Sequence, residues 1–477
     1  MERVLTTAQM RDADSFTVNK LGISEEELII RAGKSLADVI ARKFFGGRVL
    51  VVIGKGNNGK DGQVAADILS SKHGFTVRTM NVANGIFKIF DNKFDIIVDC
   101  IFGTGLNREV DGKYRQAIER INESGAFVVS CDIPSGLNGD NGMVMGVAVK
   151  ANLTVAIQEL KLGYFLNDGP DYTGEVVAKD IGISIWGEDY IKRLNDCDAA
   201  KLFSERKRNV NKGNFGKATV FGGSKDYPGS VLLSQNALCA LKMGVGYANL
   251  AIPECLFNLL AGINPECTVT CFDDKNGKIV FDESALSKII KNDSIAVGMG
   301  MTCSEDVFKT VNYLLKNYKG TLIIDADGIN VLAKYGKECL KEKQCAVIIT
   351  PHIGEFARLV GAEKEEIKSR SVEYAKSFAK EYGVIVVLKS AVTVITDGAE
   401  VYINTTGCSA MAKAGSGDLL SGIMAGLAAR TDDVLRAVCV SCYLAGRAGE
   451  IAQKNANEYT VTASDVIKAL PETVNSF

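Results

Sequence analysis

The sequence predicts two successive α/β units built on parallel sheets, and three observations carry that prediction. Short β-branched runs alternate with runs of helical period, a charged stretch poor in apolar residues interrupts the alternation near residue 200, and a glycine-rich loop joins strand to helix once in each half. A chain of 477 residues also exceeds what one ordinary hydrophobic core organises.

In the first half, the stretch 25–44 spaces Leu28, Ala32, Leu36 and Val39 along one face of a helix. Arg48–Ile53 is a short β-branched run, 61–71 is helical with Val64, Ile68 and Leu69 on one side, and 75–80 is a second strand. Strands follow at 94–100 and 126–131, with a helix over 114–122 between them. The polar segment 196–214 is the expected boundary: residues 1–200 form one domain, 201–212 a linker and 213–477 a second domain. The second half opens with a strand at 218–221 and a helix at 231–243. Further strands are expected at 294–297, 321–325, 346–350 and 384–389, then helices at 419–429 and 434–452.

Composition narrows the function. With 47% hydrophobic and 23% charged residues and a formal net charge of -2, nothing favours nucleic acid or a membrane surface, and small metabolites are the expected partners. No window approaches a membrane span, and no apolar run follows the charges of the first ten residues as a signal peptide requires. The 13 cysteines include no CxxC pair, so they read as reduced, mostly buried thiols in a cytoplasmic protein. With only His73 and His352 present, a histidine-rich metal site is excluded.

Three polar groups fall at strand ends in the first half, where open parallel sheets collect ligands. They are the loop Gly54-Lys55-Gly56-Asn57-Asn58-Gly59-Lys60-Asp61-Gly62, Asp99 with Gly103-Thr104-Gly105-Leu106, and Asp132-Ile133-Pro134-Ser135-Gly136. Glycines 54, 56, 59 and 62 permit positive φ and close approach to a ligand. Asn58, Asp99 and Ser135 offer oxygen donors that suit a hard cation. Any one of these motifs is equally a turn with a capping residue; three together indicate a site.

Together with Leu160-Lys161-Leu162-Gly163, these motifs resemble those of NAD(P)H-hydrate epimerases over about the first 190 residues. The resemblance implies a Rossmann-like three-layer α/β/α domain, a potassium ion on Asn58, Asp99 and Ser135, and a hydrate pocket. Its lining would be Asn57, Asn58, Gly59, Lys60, Asp61, Gly103, Thr104, Gly105, Leu106, Asn107, Arg108, Glu109 and Asp132. Lys60 stands where that family has a glycine. Epimerisation needs a group that gives and takes a proton; Asp132 is the candidate, and Lys161, otherwise an ordinary solvated lysine, is a weaker one.

In the second half, Gly415-Ser416-Gly417-Asp418 stands directly before an apolar helical run. Backbone N–H groups of Gly415, Ser416 and Gly417 suit a phosphoryl group in transfer, and Asp418 could accept a proton from the attacking hydroxyl. Alone, the pattern is equally a glycine turn with an acidic helix start. Val297-Gly298-Met299-Gly300, Asp325-Ala326-Asp327-Gly328-Ile329-Asn330, Thr350-Pro351-His352-Ile353-Gly354-Glu355 and Lys389 also end strands, as pocket walls do. A lone histidine is more often structural, and a strand-terminal lysine more often solvated.

This second set looks like the ADP- or ATP-dependent NAD(P)H-hydrate dehydratases, members of the ribokinase-like α/β fold, over 213–477. It implies nucleotide contacts from Lys389, Ser390, Ala391, Val392 and Thr393, and from Ser409, Ala410, Met411, Ala412, Lys413, Ala414, Gly415, Ser416 and Gly417. Ser230, Gly300, His352 and Asp418 would contact the hydrate, with Mg²⁺ accompanying ADP or ATP. Ser230 replaces a common alanine and Thr302 a frequent glycine. The combined resemblance is to enzymes that epimerise and dehydrate damaged NADH or NADPH, and a homo-oligomer is expected. Two other readings share parts of the pattern: a small-molecule kinase in the second half, or a non-catalytic nucleotide-binding module in the first.

Overall fold

The computed structural model describes the whole chain except Ile86, Asn92, Glu188, Ser204 and Leu241, and the side chains of Lys88, Asp91, Ala240 and Lys242. Ser204 of the expected linker and Leu241 of the expected helix at 231–243 therefore lie outside the described residues. The chain divides into two compact units, Arg3–Ile191 and Lys192–Phe477 with Met1–Glu2. Residues 201–212 fall within the second of these.

The first unit begins with helices α1 (Thr7–Leu21) and α2 (Glu25–Lys43). Ser24 caps α2 by accepting from the Glu27 N–H, and Glu25, Glu26 and Glu27 occupy its first turn, where carboxylates favour the helix dipole. Strands β1 (Arg48–Ile53), β2 (Thr76–Asn81), β3 (Ile96–Cys100), β4 (Phe127–Cys131), β5 (Leu153–Ile157) and β6 (Glu175–Lys179) form one sheet in the order β2-β1-β3-β4-β5-β6, parallel throughout. Val49 and Val51 face Leu36 and Ile40 of α2 and Ala65 and Leu69 of α3 (Asn57–Lys72). Leu50 and Val52 face Ala117, Ile118 and Ile121 of α4 (Gly112–Glu123). Burial on both faces explains why β1 is a continuous apolar run instead of an alternating one.

The second unit carries β7 (Lys217–Gly222), β8 (Tyr247–Pro253), β9 (Cys267–Phe272), β10 (Ser294–Met299), β11 (Thr321–Ile324), β12 (Ala346–Ile349), β13 (Ile385–Leu388), β14 (Thr393–Thr396) and β15 (Val401–Asn404). Their order is β9-β8-β7-β10-β11-β12-β13-β14-β15, parallel up to β13 and antiparallel for the last two pairings. One face packs Val220, Leu250, Ile323 and Ile348 against a layer that includes α5 (Pro228–Ala240), α7 (Ser416–Ala428) and α8 (Val434–Asn455). A shorter helix, α6 (Ile353–Val360), follows β12.

Several boundaries differ from expectation. The helix expected over 61–71 starts at Asn57, and that expected over 419–429 starts at Ser416. Half of each glycine loop is thus the first turn of a helix. The helix at 231–243 runs instead over Pro228–Ala240, and Met243 sits at φ 28°. Nor are the cysteines mostly buried: five of the 13 are, Cys100, Cys131, Cys345, Cys439 and Cys442. Among the described residues no helix is long and apolar enough to cross a membrane.

Candidate active sites

Strand order reverses between β1 and β3 in the first unit and between β7 and β10 in the second, and each reversal opens a crevice at the strands' carboxyl ends. The candidate residues leave those ends.

Gly54 follows β1 directly, and Gly56 is the residue before α3, at φ −84° and ψ −172°. None of Gly54, Gly56, Gly59 and Gly62 has a positive φ, contrary to expectation. Their requirement is space. A Cβ on Gly54 would lie 2.0 Å from the Ile101 carbonyl oxygen, one on Gly59 2.2 Å from the Gly54 oxygen, and one on Gly62 2.7 Å from Cys100 Sγ. The missing side chains let α3 start tight against the switch point. Gly54→Ala is expected to lose about 2 kcal/mol of stability through overpacking against rigid backbone, measured by urea unfolding.

A cavity of about 870 Å³ opens beside this turn. Asn57, Asn58, Asp61, Gly103, Thr104, Gly105, Leu106, Asn107, Arg108 and Asp132 line it, as does Lys161. Gly59 is buried, Lys60 and Glu109 are exposed, and none of these three lines it. Met10 and Asp14 also line the wall. Both come from α1, which carries no clean apolar stripe; the Thr6–Gln9 capping box was the available signal for it.

Asp132 stands at φ 64°, a conformation that costs a residue bearing a Cβ. Its N–H donates to the Val155 carbonyl at 2.8 Å, and its own carbonyl accepts from the Tyr164 hydroxyl. The side chain pairs with Lys161 at 2.5 Å. Lys161 is 1% exposed and also donates to the Ile157 carbonyl, so it is no surface lysine. A buried ammonium is tolerated only with partners of this kind.

Asp99 is fully buried and accepts from Ser135 N at 2.8 Å, Ser135 Oγ at 2.6 Å, Ser130 Oγ at 2.9 Å and Ile101 N at 3.2 Å. Burial pushes its carboxyl up from the ordinary value against these hydrogen bonds. Asn58 is buried with neither amide atom hydrogen-bonded. A Cβ on Gly103 would lie 3.3 Å from Asp132 Oδ2 and 3.5 Å from Asn58 Cβ, so Asn58, Gly103 and Asp132 converge.

In the second unit, Gly415 at φ 95° precedes α7 and Asp418 lies in its first turn, where helical N–H groups lack helical partners. Burial, then the nearby Asp325 carboxylate, pushes the Asp418 carboxyl up to about 7, while Lys389 and a hydrogen bond with Ser230 oppose the rise. Ser234 Oγ donates to the Asp418 carbonyl at 2.7 Å, tying α5 to α7. Lys389 donates to Asp325 Oδ1 and Ser421 Oγ to Asp325 Oδ2, both at 2.8 Å. Burial alone would raise Asp325; the ammonium and these hydrogen bonds outweigh it and hold the carboxyl below its ordinary value. A Cβ on Gly417 would lie 3.2 Å from Lys389 Nζ, which places the ammonium against the helix start.

His352 caps α6: its Nδ1 accepts from the N–H groups of Gly354 at 2.9 Å and Glu355 at 3.2 Å. Burial holds the ring's pKa down, and a ring accepting at Nδ1 carries its proton on Nε2. The Lys389 N–H donates to the Pro351 carbonyl at 2.8 Å, joining this turn to the end of β13. Gly300 at φ 65° abuts Tyr227 and Ser230, whose Cβ atoms would lie 2.9 and 3.1 Å from a Cβ there.

The two expected nucleotide segments differ in character. Ser390 and Ala391 are exposed between β13 and β14, while Val392 is buried and Thr393 begins β14. In the other, Ser409 Oγ donates to Glu458, Ser416 Oγ donates to the Met411 carbonyl, and Ala410 is buried. Lys413 donates to the Tyr459 and Val461 carbonyls at 2.6 and 2.7 Å, whereas Ala412 and Ala414 are exposed.

Thr302 sits at φ 66° with its hydroxyl buried and unpartnered, and its N–H donates to Asp327 Oδ2 at 2.8 Å. Glycine relieves both costs. Thr302→Gly is expected to raise unfolding free energy by about 1 kcal/mol, the strain relieved less the added chain entropy, read from urea denaturation.

The sequence matches the NAD(P)H-hydrate dehydratase family over residues 218–472 and the YjeF-related protein N-terminus family over 25–88 and 81–163. The bifunctional NAD(P)H-hydrate repair enzyme of Thermofilum pendens is 33% identical over 99% of this chain and 96% of its own length. That of Pyrobaculum aerophilum is 31% identical over 99% and 98%. The solved ADP/ATP-dependent NAD(P)H-hydrate dehydratase from Bacillus subtilis, co-crystallised with ATP and Mg²⁺, is 28% identical with a TM-score of 0.50, covering 58% of this chain and 95% of that one. A ribokinase-like superfamily protein from Enterococcus faecalis V583, 23% identical, has a TM-score of 0.53 over 61% of this chain and 98% of its own, which shows the ribokinase-like fold of the second unit. On both family matches and on relatives above 30% identity along nearly its whole length, the chain belongs to the bifunctional NAD(P)H-hydrate repair enzymes.

Proposed function

We propose that this chain repairs hydrated NADH and NADPH in two steps, with the unit Arg3–Ile191 interconverting the R and S hydrates and the unit Lys192–Phe477 dehydrating the S form with ADP or ATP. The observation that carries the reading is Asp418, a carboxyl lifted to about 7 in the first turn of a helix and flanked by Lys389 and Gly415–Gly417. A base near neutrality is matched to taking a proton from a hydroxyl. Asp418 takes the proton of the ring hydroxyl, that oxygen receives the terminal phosphoryl group as the nucleotide leaves one phosphate shorter, and phosphate then leaves the ring carbon with the bonding electron pair while the adjacent ring carbon loses a proton to solvent.

In this reading Lys389–Thr393 and Ser409–Gly417 bind the nucleotide, and Ser230, Gly300, His352 and Asp418 meet the hydrate. His352 can donate only through Nε2, since Nδ1 is engaged in the cap. Mg²⁺ held with the nucleotide supplies charge neutralisation on the phosphates. In the first unit Asp132 is the acid–base group. An unpartnered, buried Asn58 amide, a fully buried Asp99, and a Ser135 hydroxyl with a second acceptor at Phe102 O (3.2 Å) fit an oxygen-coordinated potassium ion. That ion would supply a fixed positive charge beside the substrate.

The test supplies purified R or S hydrate with ADP or ATP. Return of the reduced ring's absorbance in step with phosphate release is expected, with the R form repaired only after epimerisation. Stable phosphorylated product with no restored absorbance overturns the dehydratase reading in favour of a kinase. The dehydration rate at saturating substrates is expected to rise with pH through about 7, as Asp418 loses its proton. Exchange of K⁺ for a bulky organic cation in the buffer is expected to slow epimerisation and leave dehydration unchanged.

A further inference from the structure

Four carboxylates line the first cavity, the exposed Glu25 and three less exposed ones, Asp14 from α1, Asp61 from α3 and Asp132 after β4, and Lys161 is the buried ammonium among them. Lys161 is committed to Asp132 at 2.5 Å. Among the described residues, neither Asp14 nor Asp61 makes a side-chain hydrogen bond or an ion pair. The remaining nearby cations, Arg11, Lys55, Lys60 and Arg108, are exposed, as is Glu25. One buried ammonium cannot balance three carboxylates that line one cavity, because like charges sharing a site do not all ionise, and a potassium ion on Asn58, Asp99 and Ser135 would be matched by the Asp99 carboxylate. At least one proton therefore stays on the group, and the two carboxylates without a cation are the ones to hold it.

We propose that Asp61 is the catalytic acid of epimerisation, sharing its proton with Asp14 as a positioning residue, while Asp132 beside Lys161 is the base. The proposal rests on the epimerase reading above and divides the acid–base role that it gives to Asp132 alone. Burial, then Asp132 and Asp14, push the Asp61 carboxyl up to about 8 against Lys60. Burial, then Asp132, lift Asp14 to about 6, with Lys161 opposing and Glu25 adding to the rise.

The chemistry balances without a co-reactant. The hydrated ring carbon bears a hydroxyl and the ring nitrogen. Asp132 takes the hydroxyl proton, the oxygen's electron pair forms a carbonyl as the carbon–nitrogen bond breaks, and the Asp61 proton passes to the departing nitrogen. After rotation the nitrogen attacks the other carbonyl face, its proton returns to Asp61, and the proton on Asp132 returns to the oxygen. The products are the opposite epimer and the starting protonation state.

Full-length Asp61→Asn, Asp61→Glu, Asp14→Asn and Asp132→Asn proteins are compared for R-to-S conversion, with dehydration of pure S hydrate by the same chains as the folding control. Asp61→Asn is expected to lower the epimerisation kcat about 100-fold with dehydration intact, and Asp61→Glu to recover part of it. Asp14→Asn is expected to shift the pH profile of kcat to lower pH. The parent-minus-Asp61→Asn infrared difference spectrum at pH 7, in which other protonated carboxyls such as Asp418 cancel, is expected to show a protonated-carboxyl band. Epimerisation by Asp61→Asn within threefold of the parent, or absence of that difference band, overturns the proposal. Full activity in Asp132→Asn instead sinks the assigned base, a result independent of Asp61.

Discussion

Asp418→Asn is expected to lower nucleotide-dependent dehydration about a thousandfold, within the range that a positioned general base contributes. Asparagine keeps the shape of the side chain in the first turn of α7 and can still meet Ser230. It cannot take the hydroxyl proton. Stability is expected to move the other way, which separates a chemical defect from a folding one. The folded Asp418 carboxyl is raised to about 7 from an unfolded value near 4, so its proton is bound more tightly in the folded chain. That linkage stabilises the fold below about pH 4 and is lost as pH rises through about 7. The asparagine variant has no such loss. Relative to the parent, its thermal midpoint should be unchanged or lower at pH 4 and higher at pH 8, while turnover stays suppressed at every pH.

Lys161→Met is the second large expected effect. Deleting the buried ammonium strands the Asp132 carboxylate, 14% exposed, near Asp14 and Asp61, and breaking a largely buried pair from one side costs on the order of 3–5 kcal/mol. Urea unfolding at pH 8 should show that loss. At pH 5 the loss should shrink, since protons can replace the missing cation. Lys161→Met combined with Asp132→Asn should recover much of the stability while leaving epimerisation abolished, a coupling that a double-mutant cycle measures.

Several parallel strands buried on both faces were legible because they are short continuous apolar runs: Arg48–Ile53 has the same limits in sequence and structure, although Leu153–Ile157 and Tyr247–Pro253, also largely buried, were missed. Edge and half-exposed strands such as Glu175–Lys179 and Cys267–Phe272 were not, because their faces are only partly covered and no long apolar run results. Helix starts at Asn57 and Ser416 were hidden by glycine, which sequence reasoning assigns to loops and which here permits close packing. In the first cavity, Asp132 and Asn58 stood inside recognisable motifs. Asp14 did not, because it lies on a helix 118 residues before Asp132 and only tertiary packing brings them to one wall. The burial of Lys161 was equally illegible: a lysine's surroundings depend on what the sheet folds over it.

The division of the chain between Ile191 and Lys192 has a consequence outside structure proper. Each unit has its own sheet, core and crevice, yet one round of translation makes both. The two conversions therefore stand in a fixed one-to-one ratio in the cell at any expression level, and a damaged cofactor of either handedness meets equal numbers of both sites without any transcriptional coordination.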